Sequence, residues 1–115
     1  MRFSLKLNQN REFQRAYRRG KVLSHPLLVT YYLKGRRGRN RIGITTSRKI
    51  GGAVQRNRAR RIILAAYRQL EGELTPGYEL VFVARTKTTT VKSTDIYRVM
   101  RKQLLKAGMI REDAV

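Results

Sequence analysis

The stretch SRKIGGAVQRNRARRIILAAYRQL (47–70) carries Arg48, Lys49, Arg56, Arg58, Arg60, Arg61 and Arg68 and not one acid. A guanidinium presents its donors in a planar fork that fits two phosphate oxygens at once and stacks on a base, so arginine at this density is the chemistry of polyanion recognition. Set on a helical wheel at about 100° per residue, residues 53–70 divide into two faces. Ala59, Ile62, Ile63, Ala66 and Leu70 fall within roughly 100°, the width of an ordinary buried stripe. Arg56, Asn57, Arg60, Arg61 and Arg68 share a separate arc of roughly 140°, with Arg58 at its flank. A face meant only for solvent would intersperse glutamates at i, i+4, where each pair adds helix stability. Cations near a helix N-terminus also oppose its dipole. Both costs are relieved by a phosphate partner, so the face is read as a nucleic-acid contact.

Hydrolysis by the protein's own groups would need clustered carboxylates or an acid–base pair in a cleft. Glu12, Glu71, Glu73, Glu79, Asp95, Glu112 and Asp113 are scattered along the chain, and the one histidine, His25, precedes Pro26 as a turn residue. No catalytic or metal-binding constellation assembles from them. The absence of cysteine excludes disulfides and thiolate metal sites and fits a reducing, cytoplasmic setting. Twenty-seven basic against seven acidic residues give a formal charge of +20 over 115 residues, 41% of them hydrophobic. That is one folded domain (1–115) with strong self-repulsion, which a polyanion relieves. No run approaches the roughly 18 apolar residues of a membrane span. The start, MRFSLKLNQNREF, lacks the apolar stretch of a signal peptide. Nucleic acid, not membrane, is the expected partner.

These side chains need elements to position them. Asn8 or Asn10 can cap a first helix running to about Arg19, with Gly20 as its stop. Phe13, Ala16 and Tyr17 share one of its faces. LLVTYYL (27–33) is β-branched and aromatic and predicts a strand. KGRRGRN (34–40) reads as a turn, and RIGITTS (41–47) as a further strand or strands, with Ile42 and Ile44 on one face and Gly43 and Thr45 on the other. The arginine helix follows the Gly51–Gly52 break, TPG (75–77) is a turn, and YELVFVAR (78–85) is a strand buried on both faces. Ser93 or Thr94 caps a last helix with Ile96, Val99, Met100, Gln103, Leu104 and Ala107 on one stripe and Gly108 as its stop. The expected class is α+β, helices packed on a small sheet.

The segment 47–68 resembles the signature of the bacterial ribonuclease P protein subunit: an Arg56-Asn57-Arg58 core, then Arg60-Arg61 and Ile62, preceded by Lys49-Ile50-Gly51 and Ala53-Val54. EFQRAYRRGK (12–21), LLVTYYL, RIGITTSRK and YELVFVAR resemble the family's first helix and its strands, so the likeness runs over nearly the whole chain. Tyr17 departs from the pattern, standing where phenylalanine is common, as does the Thr45-Thr46 pair. The resemblance implies a two-layer α/β sandwich in the order α-β-β-β-α-β-α with a left-handed βαβ crossover through the signature helix. Ordinary topology rules would give the opposite hand.

It further implies the accessory subunit of an endoribonuclease that removes the 5′ leader of precursor tRNA, with RNA as catalyst and no protein catalytic residues. The implied partners are the catalytic RNA and precursor tRNA. No cofactor would be held by the protein alone, and Mg2+ would be held mainly by the RNA. Carried onto this chain, the RNA-facing set is Arg48, Lys49, Arg56, Asn57, Arg58, Arg60 and Arg61, with Arg68 added from the wheel. The leader cleft is Phe13, Tyr17 and Tyr31, although Phe13 and Tyr17 equally suit an ordinary helix core face. A ribosomal or other structural RNA-binding protein shares the composition. It has no need for a leader cleft.

Overall fold

The protein is described here by a computed structural model covering residues 4–35 and 38–111. Arg36 and Arg37 of the expected turn, and the acids Glu112 and Asp113, lie outside the described residues. The elements are β1 (Leu5–Lys6), α1 (Asn10–Arg19), β2 (Lys21–Leu23), β3 (Leu28–Lys34), β4 (Arg41–Thr45), α2 (Ala53–Leu70), β5 (Tyr78–Ala84) and α3 (Ser93–Lys106). The class is α+β, and from α1 onward the order is α-β-β-β-α-β-α. The two-residue β1 stands ahead of it, and the strand that brings the run before α2 to three is Lys21–Leu23.

The sheet order is β1-β4-β5-β3-β2. β4 and β5 are parallel neighbours joined through α2, β3 is antiparallel to β5 and to β2, and β1 is parallel to β4. Central β5 is buried on both sides, as its continuous apolar run requires. Leu80, Phe82 and Ala84 face α2 and α3 in the main core with Leu28, Ile42, Ile63, Leu70, Ile96, Met100 and Leu104. Val81 points the other way, into a smaller cluster under α1 with Leu7 and Ala16. The helices therefore divide: α2 and α3 form the second layer of the sandwich, and α1 covers the sheet's far face.

Two helix caps differ from expectation. The first helix is capped at Gln9, not Asn8 or Asn10. The Glu12 carboxylate reaches back to accept the Gln9 and Asn8 amides at 3.1 and 3.3 Å, and this places Asn10 already inside the helix. The last helix begins after Lys92, whose amide donates to Asp95 at 3.0 Å, so that Ser93 and Thr94 are its first residues. In both, an acid at the third helical position sets the start.

The stops hold, for different reasons. Gly108 has φ +79, and the amides of Gly108 and Met109 return to the carbonyls of Leu105 and Leu104, a left-handed terminus that favours glycine. Gly20 has an ordinary φ of −74; glycine fits there because a Cβ would lie 2.5 Å from the Ala16 carbonyl oxygen. Gln103 on the apolar stripe of α3 is fully employed: it accepts from Thr30 Oγ1 at 2.7 Å and donates to the carbonyls of Leu28 and Leu23 at 3.0 and 3.1 Å.

The α2 stripe is wider than the wheel anticipates, because Tyr67 is fully buried beside Phe82, ring centroids 5.7 Å apart. Its phenol shares a 2.6 Å hydrogen bond with Ser4 Oγ. Burial pushes that phenol up to about 12 against the pull of Ser4, so it stays neutral across the physiological range. Tyr67→Phe keeps the ring and removes the hydroxyl's polar contacts, to Ser4 and to Asn40. Its expected cost is about 0.5–1.5 kcal/mol in urea unfolding, with an unchanged denaturant slope.

Candidate nucleic-acid interface

α2 occupies residues 53–70, and its buried side is Ala59, Ile62, Ile63, Ala66, Tyr67 and Leu70. The arginines occupy the remainder. A short 3-10 turn, Arg48–Ile50, leads into it, and Gly51 at φ +135 makes the break that a side chain would resist. Gly52 offers no side-chain cap and the first turn holds no acid, so the helix itself supplies no anion to the amides at its start or to the positive end of its dipole.

Three arginines are aimed by neutral acceptors. Arg56 Nη1 donates to the Gly51 carbonyl at 3.1 Å. Arg58 Nε donates to the Thr89 carbonyl at 3.0 Å, in the 3-10 turn Thr86–Thr90. Arg60 donates to the Ile44 carbonyl at 3.1 Å and to Thr46 Oγ1 at 3.0 Å, reaching over the end of β4. Such bonds orient a guanidinium and leave its charge whole. Arg48, Lys49, Asn57, Arg61 and Arg68 are exposed, and their side chains make no hydrogen bond or ion pair to a described residue. The ion pairs lie elsewhere: Arg15–Glu79, Arg41–Glu12, Arg98–Asp95 and Arg101–Glu73. The helix thus carries an oriented cationic face that no described carboxylate neutralises.

The three aromatics meet on the far side of the sheet. The far end of the Phe13 ring packs on Gly43, so close that a Cβ there would be 2.4 Å from it. Tyr17 and Tyr31 pack edge to face, centroids 5.0 Å apart at 77°. All three are half-buried, packed on Leu7, Ala16 and Val81 yet open on one side. They extend this small core to the surface and leave part of each ring exposed there. The Tyr17 hydroxyl is taken up by Thr45 Oγ1 at 2.7 Å.

Gly43, Thr45 and Val83 belong to this site and were not singled out as such from the sequence. The alternation Ile42/Gly43/Ile44/Thr45 shows that Gly43 and Thr45 share a face, but nothing local shows that α1 lands there. His25 is a turn residue, its Nδ1 accepting the Leu27 amide at 3.0 Å. Among the described residues no group of three or more histidines and acids is placed to hold a metal, and no helix is long and apolar enough to cross a membrane.

The family model described as Ribonuclease P matches residues 1–108. The ribonuclease P protein component of Clostridium botulinum (strain Loch Maree / Type A3) is 42% identical over 105 residues, spanning 90% of this chain and 95% of that protein. That of Thermoanaerobacter sp. (strain X514) is 35% identical over 105 residues, 91% and 90% of the two chains. Among solved structures, the Staphylococcus aureus RNase P protein superposes with a TM-score of 0.81 over 92% of this chain and 97% of that one. At 23% identity this is a likeness of fold. The RNase P protein from Thermotoga maritima gives 0.71 over 89% and 93%, at 26% identity.

Proposed function

This chain belongs to the ribonuclease P protein family, and from that premise we propose that it is the protein subunit of a ribonucleoprotein in which RNA cleaves the 5′ leader from precursor tRNA. The observation that supports the reading is the pairing of two unlike surfaces on opposite sides of one sheet: the acid-free arginine face of α2 and the half-buried aromatic cluster under α1, which we read as a cleft. The first suits the phosphates of a structured RNA. Each neutralised phosphate releases counterions, and Arg56, Arg58 and Arg60 are held in place beforehand by neutral bonds, which lowers the ordering cost of contact. Arg48, Lys49, Asn57, Arg61 and Arg68 extend that face.

The cleft of Phe13, Tyr17 and Tyr31 suits unpaired bases, since aromatic stacking is worth about 1–3 kcal/mol per base and tolerates any sequence. A leader offers such bases; a mature tRNA lacks that segment. A purely architectural RNA-binding protein has no use for this second site.

The protein's own work is to bind, orient and neutralise, in the cytoplasm, where the RNA is made. Magnesium would supply charge neutralisation and an activated water to the cleavage. The residues here do not fit such an ion: Glu12 and Glu79 are each engaged by an arginine, and no group of three ligands assembles among the described residues.

The test is reconstitution. The protein freed of RNA by nuclease digestion leaves precursor tRNA intact. With catalytic RNA and magnesium at moderate salt it promotes leader removal beyond that of RNA alone. Efficient cleavage by the RNA-free protein would overturn the reading.

A further inference from the structure

The flank of α1 that faces away from the aromatic cleft borders a trough of about 590 Å³. Arg11, Arg15, Arg18, Arg19 and Arg41 line it together with Glu12 and Glu79. Arg11, Arg15 and Arg18 recur at i, i+4 and i+7, a single stripe rising about 10 Å along the helix. Like charges at this spacing destabilise a helix.

The two acids do not cancel them. Glu12 is spent on Arg41 and on the Asn8 and Gln9 amides. Glu79 faces only Arg15, at 3.6 Å, too long for a hydrogen bond, and its other oxygen is buried without a hydrogen-bond partner, so one carboxylate stands against several guanidiniums. Arg11, Arg18 and Arg19 are exposed with no ion pair to a described residue. The trough is therefore a second concentration of unneutralised guanidinium, unrelated to α2.

Its position suggests its occupant. Tyr17 stands on one flank of α1 and Arg15 and Arg18 on the other, separated by the width of one helix, about 10–12 Å. We propose that the arginine trough binds the backbone phosphates of the 5′-distal part of a long leader, after the strand has left the aromatic cleft and crossed α1. The cleft stacks the bases nearer the cleavage site without regard to sequence, and the trough holds the following phosphates, also without regard to sequence. The inference rests on the reading of the cleft as a leader site.

The experiment uses the reconstituted holoenzyme and precursors with a short leader of about four nucleotides or a long one of about twelve, against mature tRNA. The double variant Arg11→Glu/Arg18→Glu changes exposed residues without described partners. Lys102→Glu/Lys106→Glu on exposed positions of α3 makes the same change of net charge elsewhere. The expected result is a loss on the order of tenfold in affinity for the long-leader precursor with the α1 variant, and a salt dependence shallower by about 0.7 per lost phosphate contact. Short-leader binding and assembly with the catalytic RNA stay unchanged, and the α3 variant behaves as wild type. An equal loss with the α3 variant, a loss of RNA assembly, or no change for the long leader each overturns the trough assignment. Absence of any gain from even the short leader in wild type would instead overturn the cleft reading beneath it.

Discussion

Ile63→Ala is expected to lower the stability of the domain by about 2–5 kcal/mol, while Arg61→Ala two positions earlier leaves it near wild type. Ile63 is fully buried in the core between α2 and the sheet, so truncation removes apolar contacts and leaves a void there. Arg61 is exposed on the same helix and makes no hydrogen bond or ion pair to a described residue. Its loss should appear only in RNA binding: weaker affinity for the catalytic RNA and a salt dependence shallower by less than about one unit. Arg60→Ala is a less clean probe, because it also cuts the two bonds that tie α2 to the end of β4. Urea unfolding beside RNA titrations at several salt concentrations separates the effects. If Ile63→Ala and Arg61→Ala unfold equally, the helix does not have two independent faces.

Tyr17→Ala should weaken holoenzyme binding of precursor tRNA by about 1–3 kcal/mol and leave mature tRNA binding and assembly with the catalytic RNA almost unchanged. The ring lies on the cleft side of α1, edge to face with Tyr31 and away from the arginine helix across the sheet. Tyr17→Phe supplies the control: it keeps the stacking surface and loses only the bond to Thr45, so leader binding should return. Equal loss for precursor and mature tRNA, or failure of the phenylalanine variant to restore the difference, would make Tyr17 a packing residue of the small cluster under α1.

Much of the basic face of α2 was legible from residues 47–70 alone. Helical periodicity is local, so the spacing of Ala59, Ile62, Ile63, Ala66 and Leu70 marked the buried stripe, and the limits of α2 at Ala53 and Leu70 followed from the glycine break and the end of that stripe. The absence of acids needed no structure to be seen. Alternation in β4 and the apolar run of β5 likewise announced their faces, because side chains in a strand must alternate. The reading of Phe13, Tyr17 and Tyr31 as a cleft rests on a family resemblance, since Phe13, Ala16 and Tyr17 at helical spacing describe any packed helix.

What tertiary structure alone decided is which surfaces meet. Local pattern states that a face is apolar and not what covers it. That α1 crosses to the far side of the sheet depends on the β4–β5–β3 pairing, which brings Gly43, Val81 and Tyr31 into one row across three strands distant in sequence. Phe13 can lie against the sheet only because that row offers a glycine. Tyr67 entered the core from the edge of its stripe because Phe82 lies opposite. Glu12 and Glu79, 67 positions apart in sequence, line one trough because β4 and β5 are neighbours there, and each then takes an arginine that leaves the rest of the stripe on α1 uncompensated. Such pairings depend on long-range register, which no window of adjacent residues contains.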